Sequence, residues 1–99
     1  MATLRPVTRI GDITTGHGCY APSTGITSAL TVRANGLNVH CVGDMFTPHT
    51  CGTDVHSDFL VEGSAKVLAE TRPISRLGEA LAPGGARMAV ASWTVFAGG

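Results

Sequence analysis

Residues 43–56, GDMFTPHTCGTDVH, concentrate side chains that can bind a metal ion or transfer protons. His49, Cys51 and His56 all lie in this stretch, which shows almost no hydrophobic periodicity. Three interpretations are open for such a cluster: a metal site, a catalytic triad, or polar loop residues that meet by chance. The elements that position the loop must decide among them.

Length and composition predict one small all-β domain. A chain of 99 residues forms one domain at most, and such a domain buries roughly two-thirds of the surface that its unfolded form exposes. The 13 glycines and 5 prolines are spread along the sequence, which divides it into the short segments typical of many-stranded folds. We therefore expect a single domain over residues 1–99, with a thin core and no long helix.

Charge and cysteine content argue against several classes of function. The net charge is zero, with 7 basic and 7 acidic residues and no run of Lys or Arg, so the basic surface of a nucleic-acid-binding protein is missing. The sequence has no signal-peptide pattern and no apolar run of the roughly 18 residues that a membrane span needs, and we expect a protein made soluble in a cytoplasm. In that compartment an odd set of cysteines argues against disulfides. Cys19, Cys41 and Cys51 are predicted to be buried thiols or ligands.

An internal repeat indicates how the chain is organised. Residues 5–12 (RPVTRIGD) match residues 72–79 (RPISRLGE), and residues 38–44 (NVHCVGD) match both more weakly. The copies lie 32 and 35 residues apart. A second set of matching segments accompanies them at residues 30–36, 65–71 and 93–99. The repeat predicts three units at about residues 5–36, 37–71 and 72–99.

Apolar side chains alternate in these segments, which predicts strands with one buried face. Asn35 and Gly36 lie between two such strands and are a strong hairpin signal, because both central residues of the tight turn need positive φ. The equivalent turn at residues 70–73 is predicted to be looser. Since an isolated hairpin is marginal in water, we expect three hairpin units around a pseudo-threefold axis. The alternative is a small Greek-key or sandwich fold with an accidental repeat.

The predicted symmetry brings candidate metal ligands together. His17 and His49 each lie five residues after the acid that ends a repeat, so both are expected near the axis, while the equivalent Gly84 offers no donor atom. Four nitrogen and sulfur ligands are the number that a closed, tetrahedral zinc site takes. The predicted ligands are His17, His49, Cys51 and His56. The alternative is a set of loop histidines with ordinary hydrogen bonds.

The remaining polar residues are predicted to play secondary roles. His40 occupies the strand position held by Thr8 and Ser75, so we expect a hydrogen-bonded strand histidine, with metal ligation as the alternative. Asp54 and Asp58 are predicted to be solvated or to accept hydrogen bonds from imidazole N–H groups. One structural ion would contribute on the order of 10 kcal/mol to folding.

An enzyme is not expected. A hairpin fold of this size has little concave space, and four protein ligands leave no open position on a metal. A small metal-dependent hydrolase and a free metal-dependent regulator are the alternatives.

The repeat resembles that of the proline-alanine-alanine-arginine (PAAR) repeat family, whose members form the tip of the spike in contractile injection machines. Residues 6–9 (PVTR) and 73–76 (PISR) each keep two of the four motif letters, and Gly-Asp or Gly-Glu follows where the family has Gly-Asp. Residues 16–19 (GHGC) and 49–52 (HTCG) resemble the branch common in tailed-phage genomes. The middle unit departs from the motif at Asn38 and Cys41, and the third loop lacks the Cys or His that many members carry.

The resemblance implies a cone of pseudo-threefold β-hairpins with one zinc or iron ion near the apex, bound by three histidines and a cysteine. The base would cap the end of a trimeric β-helical spike, one tip per trimer, and Val32, Val67, Val95, Trp93 and Phe96 would lie at that contact. The implied role is a rigid point that helps to pierce the outer membrane of a target cell. The implied location is the baseplate of a virion assembled in the host cytoplasm, and the alternative is a type VI secretion or extracellular contractile injection system.

Overall fold

The computed structural model describes residues 4–99, which form short antiparallel strands joined by turns and irregular segments. Within this range no helix is long and apolar enough to cross a membrane. The strands are β1 (Arg5–Pro6), β2 (Arg33–Ala34), β3 (Leu37–Asn38), β4 (His49–Cys51), β5 (Asp54–His56), β6 (Phe59–Leu60), β7 (Leu68–Ala69), β8 (Arg72–Pro73), β9 (Leu81–Ala82) and β10 (Phe96–Ala97). They pair as β1 with β10, β2 with β3, β4 with β5, β6 with β9 and β7 with β8. The prediction of an all-β domain of short hairpins without a long helix is confirmed.

Two hairpins have the same tight turn. Asn35 and Gly36 join β2 to β3 with φ of 54° and 80°, as the Asn-Gly pair predicts. Glu70 and Thr71 join β7 to β8 with φ of 53° and 69°, so the prediction of a looser turn there is wrong. The Glu70 carboxylate stabilises this turn, because it accepts hydrogen bonds from the backbone N–H and the hydroxyl of Thr31 at 2.7 and 2.6 Å.

Backbone hydrogen bonds connect the three repeat units in closed rings. Thr8 N–H donates to the Ser75 carbonyl at 3.0 Å, Ser75 N–H to the His40 carbonyl at 2.8 Å, and His40 N–H to the Thr8 carbonyl at 3.0 Å. Three further bonds also connect the units in a cycle. The N–H of Ile26 donates to the Met45 carbonyl at 2.9 Å, that of Val61 to Ala80 at 3.1 Å, and that of Ala89 to Ile13 at 3.0 Å. The strand pair β1–β10 joins the first unit to the third. Each unit therefore contacts the other two through the positions that the repeat equates.

Two apolar clusters form the interior. The first consists of Val7, Ala29, Ala34, Val39, Cys41, Ala69, Ile74 and Ala97, with Val32 and Val95 packed against it. The second consists of Phe46, Leu60, Leu81, Ala86 and Met88. The described residues span 42 × 28 × 23 Å, so the molecule is longer in one direction than in the others.

Each acid that ends a repeat is buried and paired with an arginine. Asp12 bonds Arg9 at 3.0 Å and Glu79 bonds Arg76 at 2.9 Å, three residues earlier in each case. The middle unit has Cys41 in place of that arginine, and Arg72 from the third unit bonds Asp44 instead, at 2.8 Å. Arg5 of the first unit bonds Glu79 in the same way, at 2.8 Å, so a contact from a neighbouring unit is not specific to Asp44. Because a buried carboxylate without a partner is costly, the Arg72 contact explains how the middle unit tolerates the loss of its own arginine.

Candidate metal centre

A short turn of the first unit positions His17. The backbone N–H groups of His17 and Tyr20 donate to each other's carbonyls at 3.1 and 2.9 Å, and Gly18 between them has φ of 56°. The ring of His17 lies against Gly84, where a Cβ atom would overlap it. The third unit therefore contributes the space for a ligand of the first unit instead of a ligand of its own.

The hairpin β4–β5 positions two more histidines. His49 and His56 are directly opposite each other in its register, so their side chains lie on one face. Gly52 has φ of 63° in the two-residue turn that joins the strands. Asp58 follows two residues after His56 and is fully buried, and its carbonyl accepts the Phe46 N–H at 3.0 Å.

These four side chains converge on one point. The Nε2 atom of His56 lies 3.0 Å from Nε2 of His17 and 2.9 Å from Nε2 of His49. The carboxylate of Asp58 lies 2.8 Å from His56, 3.2 Å from His49 and 3.3 Å from His17. Ligands at Zn–N distances of about 2.0–2.1 Å in a tetrahedron are about 3.3 Å apart. The separations from His56 and Asp58 are near that value, and all four ligand atoms lie within 4.8 Å of one another.

The protonation of these groups also suits a metal. The Nδ1 atom of His49 lies 2.6 Å from the Ala21 carbonyl, which can only accept, so Nδ1 carries the proton and Nε2 presents a lone pair to the centre. The Oδ2 atom of Asp58 is buried and has no hydrogen-bond donor within residues 4–99. A cation between the imidazoles and this carboxylate would satisfy all of them. The cluster of His17, His49, His56 and Asp58 could therefore bind one metal ion.

The structure differs from the sequence prediction at Cys51. Three of the four predicted ligands, His17, His49 and His56, lie in the cluster, whereas Cys51 forms a disulfide with Cys19. Each of these cysteines lies two residues after a histidine of the cluster, so the arrangement that brings His17 to His49 also brings the two sulfurs together. Asp58 takes the place expected for the thiolate. Its position two residues after His56 was the available signal, because alternate residues of an extended chain share a face.

The third cysteine does not contribute to the centre. Cys41 is a free, fully buried thiol of the first apolar cluster. Burial raises its pKa to about 11, so the thiol stays protonated at neutral pH. Cys41 is thus a core residue, which is one of the two roles predicted for it.

His40 lies outside the cluster, in the core. Its ring contacts Phe46 at a centroid distance of 5.0 Å and occupies the space above Gly25, where a Cβ atom would overlap it. Neither ring nitrogen has a hydrogen-bond partner among residues 4–99, so the expected hydrogen bonds of a strand histidine are missing there. Burial lowers the pKa of His40 from 6.5 to about 4, against the opposing effect of Asp44 and Asp12.

The aromatic ring of Tyr20 covers the histidine cluster. Its centroid lies 4.8 Å from that of His17, 4.9 Å from His49 and 4.3 Å from His56. Sequence reasoning assigned no role to this residue. The signal was its position opposite His17 in the turn, which corresponds to that of His56 opposite His49.

Comparison with known proteins adds no family assignment. The sequence matches no protein-family model, and a search of curated proteins finds no match.

Proposed function

We propose that this protein is a structural, metal-stabilised tip that caps a trimeric β-helical spike, as members of the PAAR-repeat family do. The observation that carries this proposal is the closed ring of hydrogen bonds among Thr8, His40 and Ser75. This ring supports an approximate threefold axis within a single chain, and a chain with such an axis can present nearly equivalent surfaces to three identical partners. In this proposal the molecule is a cone, with the histidine cluster at its apex.

The metal in this proposal has a mechanical role. His17 comes from the first repeat unit, whereas His49, His56 and Asp58 come from the second, so one ion would cross-link two segments that are distant in sequence. Three nitrogens and one carboxylate oxygen suit zinc or ferrous iron. A fold with so thin a core gains stability from such a cross-link. The tip of a spike must bear force, so it requires this stability. No catalytic step is proposed for this ion.

The proposed base is the surface that carries the hairpins β2–β3 and β7–β8 and the strand pair β1–β10. Trp93 is 86% exposed, and Leu68 and Phe96 are 58% and 49% exposed. Val67 is also exposed, whereas Val32 and Val95 pack partly against the first apolar cluster. Exposed apolar groups favour a protein contact where they form one patch. The proposal places these side chains together at the base, against the flat end of a trimeric spike.

The proposed setting is the baseplate of a tailed virion, with a type VI secretion or extracellular contractile injection system as the alternative. Both settings need the same contact with a trimeric spike and the same transient contact with a target outer membrane. Neither calls for nucleic acid, and in both one monomeric tip serves each trimer.

Co-expression with a trimeric β-helical spike domain tests the proposal. We expect a stable complex of one tip per three spike chains, measured by native mass spectrometry, and one metal ion per tip, measured by elemental analysis. Trp93→Asp should abolish the complex because it places a charge in the apolar contact, whereas Val55→Asp, at an exposed position of the β4–β5 hairpin, should leave it intact. Failure of the unmodified tip to bind any spike trimer would contradict the proposed function.

A further inference from the structure

The segment formed by residues 19–21, which we call the cover segment, contacts the candidate metal centre in three independent ways. The ring of Tyr20 packs on all three imidazoles at centroid distances of 4.3–4.9 Å. The carbonyl of Ala21 orients His49 through its Nδ1 atom at 2.6 Å. Cys19 bonds covalently to Cys51, which lies on the strand that also carries His49.

The chain is built to bring this segment close. Gly16 has φ of 72°, and a Cβ atom there would lie 2.9 Å from the backbone of Ala21. Two backbone hydrogen bonds between His17 and Tyr20 fix the turn that begins the segment. The hydrogen bonds to His17, the Cys19–Cys51 disulfide and the contact of Ala21 with His49 hold the backbone around Tyr20. The Tyr20 ring therefore has little freedom to leave the imidazoles while the disulfide is intact.

We propose that residues 19–21 form a cover over the metal centre that controls how fast the ion exchanges, and that the Cys19–Cys51 disulfide is the latch of this cover. The inference rests on the proposed metal site and adds a regulatory property to it. The side chains of His17 and His56 are partly exposed, by 14% and 22%, so a competing chelator or water reaches the centre from their side. The Tyr20 ring lies against both of these imidazoles and narrows that path.

Opening the latch is a simple two-electron reduction. A phosphine reductant attacks one sulfur, the S–S bond breaks, and the phosphine becomes a phosphine oxide with an oxygen atom from water. Two protons and two electrons remain on the sulfurs as the thiols of Cys19 and Cys51. The cover segment is then held only by its hydrogen bonds, so the metal is released faster in the reduced protein than in the oxidised protein.

The test measures metal release from the folded full-length chain. Protein loaded with Co²⁺ is mixed with excess EDTA, and the loss of the visible d–d absorption gives the release rate. Tyr20→Ala and Tyr20→Leu should release the ion roughly 10- to 100-fold faster, the range in which outer contacts usually affect metal sites, with far-UV circular dichroism unchanged. Tyr20→Phe, which keeps the ring, should release it within about twofold of the wild-type rate.

The latch is tested by tris(2-carboxyethyl)phosphine and by the double variant Cys19→Ser with Cys51→Ser. Both should accelerate release about tenfold or more, and the phosphine should have no further effect on the double variant. Equal rates in the oxidised protein and the double variant would overturn the latch. Slower release after reduction would also overturn it, because it would mean that a thiolate has joined the ligands.

These outcomes are separate from those of the proposed function. If the wild-type chain binds no metal ion, the proposed metal site is wrong. If the wild-type chain binds one ion and the Tyr20 variants release it at the wild-type rate, only the cover is refuted.

Discussion

Replacement of Asp58 by Asn is the perturbation that distinguishes a metal centre most sharply from a hydrogen-bonded histidine cluster. Asp58 is fully buried, and its Oδ2 atom has no hydrogen-bond donor within residues 4–99. Asn keeps the shape of the side chain and removes its charge. With metal bound, the change removes the anionic ligand. Without metal, it removes a buried charge whose Oδ1 atom has a partner in Nε2 of His56 at 2.8 Å, while Oδ2 has none among residues 4–99. We therefore expect effects of opposite sign in the two conditions.

The expected magnitudes follow from linkage. When free metal is about 100 times the wild-type Kd, binding contributes about 2.7 kcal/mol to stability, and a hundredfold loss of affinity removes about 2 kcal/mol of it. For a domain of this size each kcal/mol shifts Tm by about 4–8 °C. The lost binding energy is partly offset in metal by the gain of about 1–2 kcal/mol that the metal-free variant has, so Asp58→Asn should lower Tm by about 5 °C in metal. In chelator the relief of an unpaired buried oxygen should raise stability by about 1–2 kcal/mol, or Tm by roughly 5–10 °C.

The assay is thermal unfolding followed by circular dichroism at pH 7.5, in buffer with Zn²⁺ and in buffer with EDTA. Asp54→Asn is the matched control, because Asp54 is an exposed carboxylate on β5 of the same hairpin, and it should leave Tm unchanged in both buffers. An equal loss of Tm in both buffers for Asp58→Asn would refute the reasoning. That result would mean that the carboxylate stabilises the cluster by accepting hydrogen bonds from imidazole N–H groups, without an ion.

Three further predictions concern the core and the turns. His40→Ser introduces the residue that the third unit has at this position, Ser75, but leaves an unfilled space above Gly25. It should therefore lower the free energy of unfolding, measured by urea titration, by about 2–4 kcal/mol. An unchanged free energy would mean that the surrounding residues collapse into the space. Because the pKa of His40 falls from 6.5 to about 4 on folding, the unfolded chain takes up a proton before the folded chain does. Stability should therefore fall as pH decreases from about 6.5 to about 4, and the part of this decrease that His40 causes should be missing from His40→Ser. Thr71→Gly copies Gly36 at a position where Thr has φ of 69°, so relief of strain should raise Tm by a few degrees, about 0.5–1 kcal/mol, and a lower Tm would show that the threonine is not strained there.

Much of the fold can be predicted from local patterns. The alternation of apolar residues predicts short strands. Asn35 and Gly36 predict a tight turn because both of its central residues need positive φ, which few other residues adopt. The turn at Glu70 and Thr71 could not be predicted in the same way, because neither residue favours positive φ. There the hydrogen bonds from Thr31 to the Glu70 carboxylate, which are contacts between different repeat units, override the local preference.

The candidate site was predictable in part for a related reason. The repeat equates His17 with His49, and closed rings of backbone hydrogen bonds convert that equivalence in sequence into proximity. The same argument equates Cys19 with Cys51 and would have predicted their pairing. The expectation of buried thiols or metal ligands depended instead on an assumed reducing compartment, which is not a property of the chain.

The sequence alone determined the repeat, the strand class and the histidines that come together, because each depends on residue spacing and on turn chemistry within a few positions. Only the tertiary structure decided that Asp58 joins these histidines in place of Cys51, that Arg72 pairs with Asp44, and that the ring of His40 fills the core above Gly25. Each of these contacts joins residues that are distant in sequence, and local sequence patterns do not specify such contacts. Their geometry depends on how the three loops, which differ in length and sequence, pack around the hydrogen bonds that connect the repeat units.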